Sequence, residues 1–224
     1  MTSVTRVLVV RHGQSEWNLS GRWQGQADPA LTELGRAQAR AAAHNLGQLD
    51  AIWTSDLQRA AQTATVIAEE LGLGPVVPDT DLRERDVGDW TGLTRDQIDR
   101  RYPGYLSPPN GAKPEGWTPP RPAGWESDPA VVGRATQALL RIREHHETGH
   151  VLVVSHAGLL YSIERTLGVE ASRFGNLEGR WLELRSSDDE AQGRWATMRL
   201  ADIARLGDRL ALLPADQVTL PNEI

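Results

Sequence analysis

Arg11-His12-Gly13 follows directly on a run of four apolar residues, Val7-Leu8-Val9-Val10. Such a run reads as a buried strand. It delivers a permanent cation and an imidazole at the strand's carboxyl end. Ser15, Glu16 and Asn18 follow within reach, and Gly13 permits a sharp turn or a close ligand. A second apolar segment, Val151-Leu152-Val153-Val154, runs the same way into Ser155-His156. A third, Ala51-Ile52-Trp53-Thr54, runs into Ser55-Asp56, with Arg59 on the first turn of the helix expected next. Two arginines, two histidines and two helix starts suit an anion, held by charge-assisted hydrogen bonds and helix N-termini. A metal on His12 and His156 would need a third ligand such as Asp or Glu. Arg11 and Arg59 beside them would repel a dication, so no metal is expected. His145, His146 and His150 cluster near a helix C-terminus and read as surface residues. His44 reads as structural or exposed.

These residues meet only if the strands lie side by side and point the same way. Strands alternate with helices along the chain, which predicts an α/β fold. The expected architecture is three-layered: a mostly parallel sheet flanked by helices, with an antiparallel edge hairpin. Open sheets of this kind bind ligands at the carboxyl edge of the strands. Helices are expected over 33–46, capped by Thr32, and over 57–71, capped by Ser55 or Asp56. Two more are expected from Asp128-Pro129 to about His146 and over 159–167. Val76-Val77 is a short apolar run, and Asp81 to Asp86 is too charged for a core strand. Arg180 to Arg185 and Arg194 to Leu200 alternate apolar and polar residues and read as the hairpin. The Leu-rich tail from Ala201 offers no readable chemistry. From Tyr102 to Trp125, prolines and glycines interleave, which excludes helix and central strand. Trp117 and Trp125 within that stretch favour a packed loop, so residues 102–126 are expected to form a lid or specificity loop.

The chain has 224 residues and a net charge of −6, with a pI of about 5.5. That length suits a single domain over residues 1–224. The acidic balance argues against general nucleic-acid binding. An acidic protein that binds an anion must concentrate its positive charge locally. Nearly all basic residues are arginine, and Lys113 is the only lysine. There is no cysteine, which excludes disulfides and thiolate-held metals. No stretch approaches the roughly 18 apolar residues of a membrane span, and the N-terminus lacks a signal-peptide profile. No membrane partner is expected, and a cytoplasmic location is the default.

Several motifs, in order and at family spacing, carry a resemblance. Arg11-His12-Gly13-Gln14-Ser15-Glu16-Trp17-Asn18 resembles the RHG motif of the histidine phosphatase superfamily, in its phosphoglycerate-mutase-like branch. Agreement continues in Leu31-Thr32-Glu33-Leu34-Gly35, in Ser55-Asp56-Leu57-Gln58-Arg59-Ala60 and in Leu82-Arg83-Glu84. It extends through Gly88-Asp89-Trp90-Thr91-Gly92-Leu93 to Ser155-His156-Ala157-Gly158, covering about residues 5–176. Two positions depart from the pattern. Asp28-Pro29-Ala30-Leu31 moves a proline, and Ala157 stands where glycine is frequent, which is tolerated unless its φ is positive.

The resemblance implies roles position by position. His12 would be the nucleophile that takes the phosphoryl group. Arg11, Asn18, Arg59 and His156 would hold the phosphoryl oxygens. Glu84 would protonate the leaving alcohol and later deprotonate water. Gln24 and Gly25 would touch the rest of the substrate. Hydrolysis of this kind needs no metal or organic cofactor. On the residues alone, Glu84 reads instead as a salt-bridge partner of Arg83 or Arg85. The implied activity is a metal-independent phosphomonoester hydrolase acting through a phosphohistidine on a small phosphorylated metabolite. Arg11 to Asp28 and Leu82 to Asp99 look most like actinobacterial phosphatases of the family, which directs the substrate expectation to a phosphoglycerate or sugar-phosphoglycerate. Trp17, Trp23, Trp90, Trp117 and Trp125 could floor a sugar site or simply pack. The alternatives are a cofactor-dependent phosphoglycerate mutase and, more remotely, a non-catalytic phosphate-binding scaffold. A mutase needs further cations for a second phosphate, and the lone lysine counts against one. Homodimers are common in the family, but no feature of this chain specifies one.

Overall fold

The computed structural model describes residues 4–108, 118–170, 172–185 and 198–218. Strands β1 (Val4–Arg11), β2 (Ala51–Thr54), β3 (Val76–Pro78), β4 (Gly149–Ser155), β5 (Glu178–Arg185) and β6 (Ala204–Ala211) form one sheet. Its order is β3-β2-β4-β1-β5-β6. The first four in that order pair in parallel, and β5 and β6 add an antiparallel edge.

The unbroken apolar runs of β1 and β4 follow from burial on both faces. Val7, Val9, Val151 and Val153 face one core with α5 (Asp128–His145) and α6 (Ala157–Thr166). Leu8, Val10, Leu152 and Val154 face the other with α2 (Glu33–Ala43) and α3 (Gln58–Leu71). A third cluster joins Trp23, Val87, Trp90 and Ile98. Val87 precedes a 3-10 turn (Gly88–Trp90) that Trp90 ends, and Ile98 lies on α4 (Arg95–Arg101).

Several expectations are corrected. The return strand of the hairpin is β6, inside the tail that looked silent. Leu200 opens a short helix α7 (Leu200–Ile203), held by Arg199 and Asp202. Residues 194–197 lie outside the described residues. Neither Ser55 nor Asp56 caps α3, whose N-cap residue is Leu57 without a side-chain bond. Asp28 supplies the missing acceptor from a distant loop, taking the Gln58 amide at 2.6 Å. Asp56 instead pairs with Arg83. Helix α2 stops at Ala43, and α6 begins two residues earlier than expected, at Ala157. Of the histidine cluster, His146 is half-buried and its Nε2 accepts from Trp53 Nε1 at 3.2 Å. Trp90 is fully buried, so it packs the core and floors no site. In the 102–126 stretch, Tyr102, Tyr105 and Trp125 pack on Trp90. Trp117 and Lys113 lie outside the described residues.

Candidate active site

Adjacent parallel strands place the two histidines together. Arg11 on β1 is in register with Ser155 on β4. The His12 amide then donates to the Ser155 carbonyl at 3.0 Å. The rings of His12 and His156 sit edge to face, with centroids 5.2 Å apart. Strand β2 lies on the far side of β4 and sends α3 back over the same edge. Arg59, in its first turn, donates from Nε to His12 Nε2 at 3.2 Å.

That contact settles the tautomer of His12. A guanidinium only donates, so Nε2 must be the nitrogen with the free lone pair. Nδ1 lies 2.6 Å from the Gly13 carbonyl and donates its proton there. Both His12 and His156 are fully buried, and both pKa values lie well below the ordinary imidazole range. Burial is the largest cause for each. The cations come second: Arg59 and Arg11 for His12, Arg59 foremost for His156. A buried neutral imidazole whose unprotonated nitrogen is Nε2 can act as a nucleophile from that nitrogen.

The surrounding groups are fixed by the main chain. Arg11 Nη1 donates to Phe174 O at 3.1 Å. Arg59 Nη1 and Nη2 donate to Ala27 O and Gly25 O at 2.7 and 2.8 Å. Asn18 closes the capping box of α1 (Glu16–Leu19), whose N-cap is Ser15, its Oδ1 accepting from Ser15 N. Its Nδ2 is buried without a partner, as are both ring nitrogens of His156. Buried polar atoms left unmet cost about 1–3 kcal/mol each. A tetrahedral oxyanion between His12, Asn18 and His156 would satisfy donors from both residues.

Glu84 makes neither expected salt bridge. Arg83 pairs with Asp56, and Arg85 with Asp128. The Glu84 carboxylate is instead held by main-chain amides, Oε1 by Arg85 N at 2.7 Å and Oε2 by Gly158 N at 3.1 Å. It therefore lies at the first turn of α6, whose N-cap is His156. Position 158 must be glycine for this. A Cβ there would fall 2.4 Å from Glu84 Oε1. Ala157 has no positive φ, so the departure from glycine there is harmless. Gln24 is buried and accepts from Ser15 Oγ at 2.8 Å, whereas Gly25 lines a cavity on the Glu84 side of the site. Trp23, Trp125, Tyr161 and Arg121 line the same cavity. Among the described residues, no group of three His, Asp or Glu side chains is arranged to hold a metal ion.

The reading from sequence missed several supports of His12. Thr63 Oγ1 accepts from the Gly13 amide at 3.1 Å. Asn176 Nδ2 donates to the His12 carbonyl at 2.7 Å, and the Leu177 amide to the Arg11 carbonyl at 3.0 Å. Leu177 has φ +58°, and no other described non-glycine residue is positive. No local pattern marks 174–177 as part of a site.

Residues 7–196 match the family described as histidine phosphatase superfamily (branch 1). The chain is 35% identical over 183 residues to a metal-independent phosphoserine phosphatase of Arabidopsis thaliana, covering 79% of this chain and 74% of that protein. It is 41% identical over 173 residues to a glucosyl-3-phosphoglycerate phosphatase of Mycobacterium tuberculosis, covering 72% and 74% respectively. The structure of a mycobacterial glucosyl-3-phosphoglycerate phosphatase in complex with VO3 superposes with a TM-score of 0.70. That match has 33% identity and covers 91% of this chain and 97% of the other. The chain thus belongs to the histidine phosphatase superfamily, branch 1.

Proposed function

We propose that this protein hydrolyses small phosphomonoesters through a phosphohistidine on His12. Its relatives named as phosphatases support hydrolysis of phosphorylated metabolites. The observation that carries the reading is the lone pair of His12 Nε2, held beside Arg59 by the Nδ1–H bond to Gly13.

In the first step Nε2 attacks phosphorus and the P–O ester bond breaks. Arg11, Arg59, Asn18 and His156 hold the equatorial oxygens, where charge develops. Protonated Glu84 gives its proton to the departing alkoxide. In the second step the Glu84 carboxylate takes a proton from water as the water oxygen attacks phosphorus. The P–N bond breaks, leaving inorganic phosphate, neutral His12 and reprotonated Glu84.

The mutase alternative uses the same phosphohistidine but returns it to a retained intermediate. Arg85, next to Glu84, is taken up by Asp128, Ser162 and the Glu126 carbonyl. It is not free to clamp a second phosphate. The scarcity of lysine is a weaker reason than the sequence reading made it, because arginines line the neighbouring cavity.

Phosphorus NMR tests the reading, with chelator present and 3-phosphoglycerate and its glucosyl ester in separate tubes. Free phosphate is the expected product. Conversion of 3-phosphoglycerate to 2-phosphoglycerate without free phosphate would overturn the hydrolase in favour of the mutase.

A further inference from the structure

Glu84 lies on a stretch, Arg83 to Asp86, that is neither helix nor strand, so no regular ladder of main-chain bonds fixes it. Side chains from elsewhere do so instead. Arg134, on α5, donates from Nη1 to the carbonyls of Asp81 and Arg83 and from Nη2 to the carbonyl of Glu84 at 3.1 Å. Its remaining donors go to Glu126, Nε to Oε1 at 2.8 Å and Nη2 to Oε2 at 2.9 Å. A guanidinium has five N–H donors, and all five are engaged here. Ser155 Oγ donates to the Leu82 carbonyl at 2.8 Å, and Gln26 Nε2 gives the Glu84 carbonyl a second donor at 3.2 Å. Four successive carbonyls, 81 to 84, are thus taken up by side chains from other elements. Glu126 closes the arrangement by accepting the Asp86 amide at 3.1 Å.

This way of holding the segment suits a group that has to gain and lose a proton. An ion pair to the Glu84 carboxyl would favour its charged form and would be lost whenever the proton returned. Arg134 places its charge on Glu126 and its other donors on main-chain carbonyls, which do not titrate. The amides of Arg85 and Gly158 that meet the two carboxyl oxygens are main chain as well. A carboxyl oxygen can accept such a bond with or without the proton. The grip on Glu84 is therefore the same in both protonation states.

We propose that Arg134 is a positioning residue whose guanidinium fixes the main chain of residues 81–84, so that the Glu84 carboxyl keeps its place through the proton transfers of both steps. This rests on the phosphatase reading and adds to it a residue outside the reacting groups. Lysine could not replace it fully. An ammonium offers three donors from one atom, whereas the planar guanidinium spans carbonyls on one edge and a carboxylate on the other.

Hydrolysis of phenyl phosphate and 4-nitrophenyl phosphate tests this, with kcat/KM as the readout. The two esters have similar shapes, and only the first needs a proton on its leaving oxygen. Arg134→Gln is expected to lower kcat/KM for the phenyl ester about fivefold or more beyond its effect on the nitrophenyl ester. In the Glu84→Gln protein the same substitution is expected to cost the phenyl ester less than about twofold, because the group it positions is already gone. Arg134→Lys is expected to recover part of the loss. Equal losses on the two esters, or a loss undiminished in Glu84→Gln, would assign Arg134 to the fold alone and overturn the positioning role. Full recovery with lysine would assign the effect to charge and overturn it too. Should circular dichroism show Arg134→Gln unfolded, Arg134→Lys carries the same comparison of esters. An unmodified chain that hydrolyses neither ester loses the phosphatase reading and this inference with it. One that hydrolyses both, while the variants lose the two equally, keeps the reading and loses the inference alone.

Discussion

Asn176 donates its side-chain amide to the main-chain carbonyl of His12 at 2.7 Å, across 164 positions of chain. Both residues are buried, so the bond has no water to replace it. Removing it in Asn176→Ala leaves the His12 carbonyl unmet, at a cost of about 1–3 kcal/mol measured by urea unfolding. Because Asn176 bonds the main chain of the proposed nucleophile, kcat is expected to fall while KM stays within about twofold. A rise in KM with unchanged kcat would assign Asn176 to substrate binding instead.

His12 and His156 are neutral in the folded protein because burial and then the nearby arginines lower their pKa values from 6.5. The unfolded chain takes up protons on both as pH falls through 6.5, and the folded chain does so only lower down. Stability is therefore fully present above about pH 6.5 and declines below it, toward the lowered folded values. Thermal unfolding across pH 4–8 checks this, and His156→Gln is expected to flatten the slope. The same lowering keeps Nε2 unprotonated, so turnover is expected to persist below pH 6.5. An acid limb centred at 6.5 would contradict it.

In the proposed mechanism Glu84 protonates the leaving oxygen, so its removal should tell leaving groups apart. Glu84→Gln is expected to slow hydrolysis of an aliphatic phosphate by about 10²–10⁴-fold, the usual worth of general acid catalysis. The 4-nitrophenyl ester, whose phenolate leaves unaided, is expected to lose less in the first step. Phosphohistidine then accumulates because water also lacks its base, and acid-labile protein-bound phosphate measures it. Equal losses on both esters would count against the acid role.

Asp28 completes the first turn of α3 through the Gln58 amide, one residue before Arg59. Asp28→Ala is expected to cost about 0.5–2 kcal/mol, as for other lost helix caps. It also loosens the turn that aims Arg59 at His12, so a weaker phosphate inhibition constant accompanies the loss of stability.

The chemistry at the strand ends was legible because it is local. Apolar runs reach Arg11-His12 and Ser155-His156 within a few residues, and the alternation of strands and helices aligns their carboxyl ends. The supports were not legible because each is a pairing between distant segments. Asp28 caps a helix thirty positions away, and nothing near Asn176 announces His12. The return strand was misplaced for a related reason. The alternation at 194–200 is as good a strand pattern as that of 204–211, and only pairing with β5 chooses between them. Glu84 looked like a salt-bridge partner because its charged neighbours are adjacent in sequence. Their real partners, Asp56 and Asp128, come from elsewhere in the fold.

Strand β1 lies between β4 and β5, paired along nearly its whole length on both sides. The amides at its end are held as well, that of His12 by Ser155 and that of Gly13 by Thr63. Amides so placed exchange their hydrogens with solvent only when the whole sheet opens. The histidine proposed as nucleophile therefore follows a strand that opens only when both of its neighbours part from it. Heat inactivation is therefore expected to track the loss of β1 amide protection, as hydrogen exchange measures it.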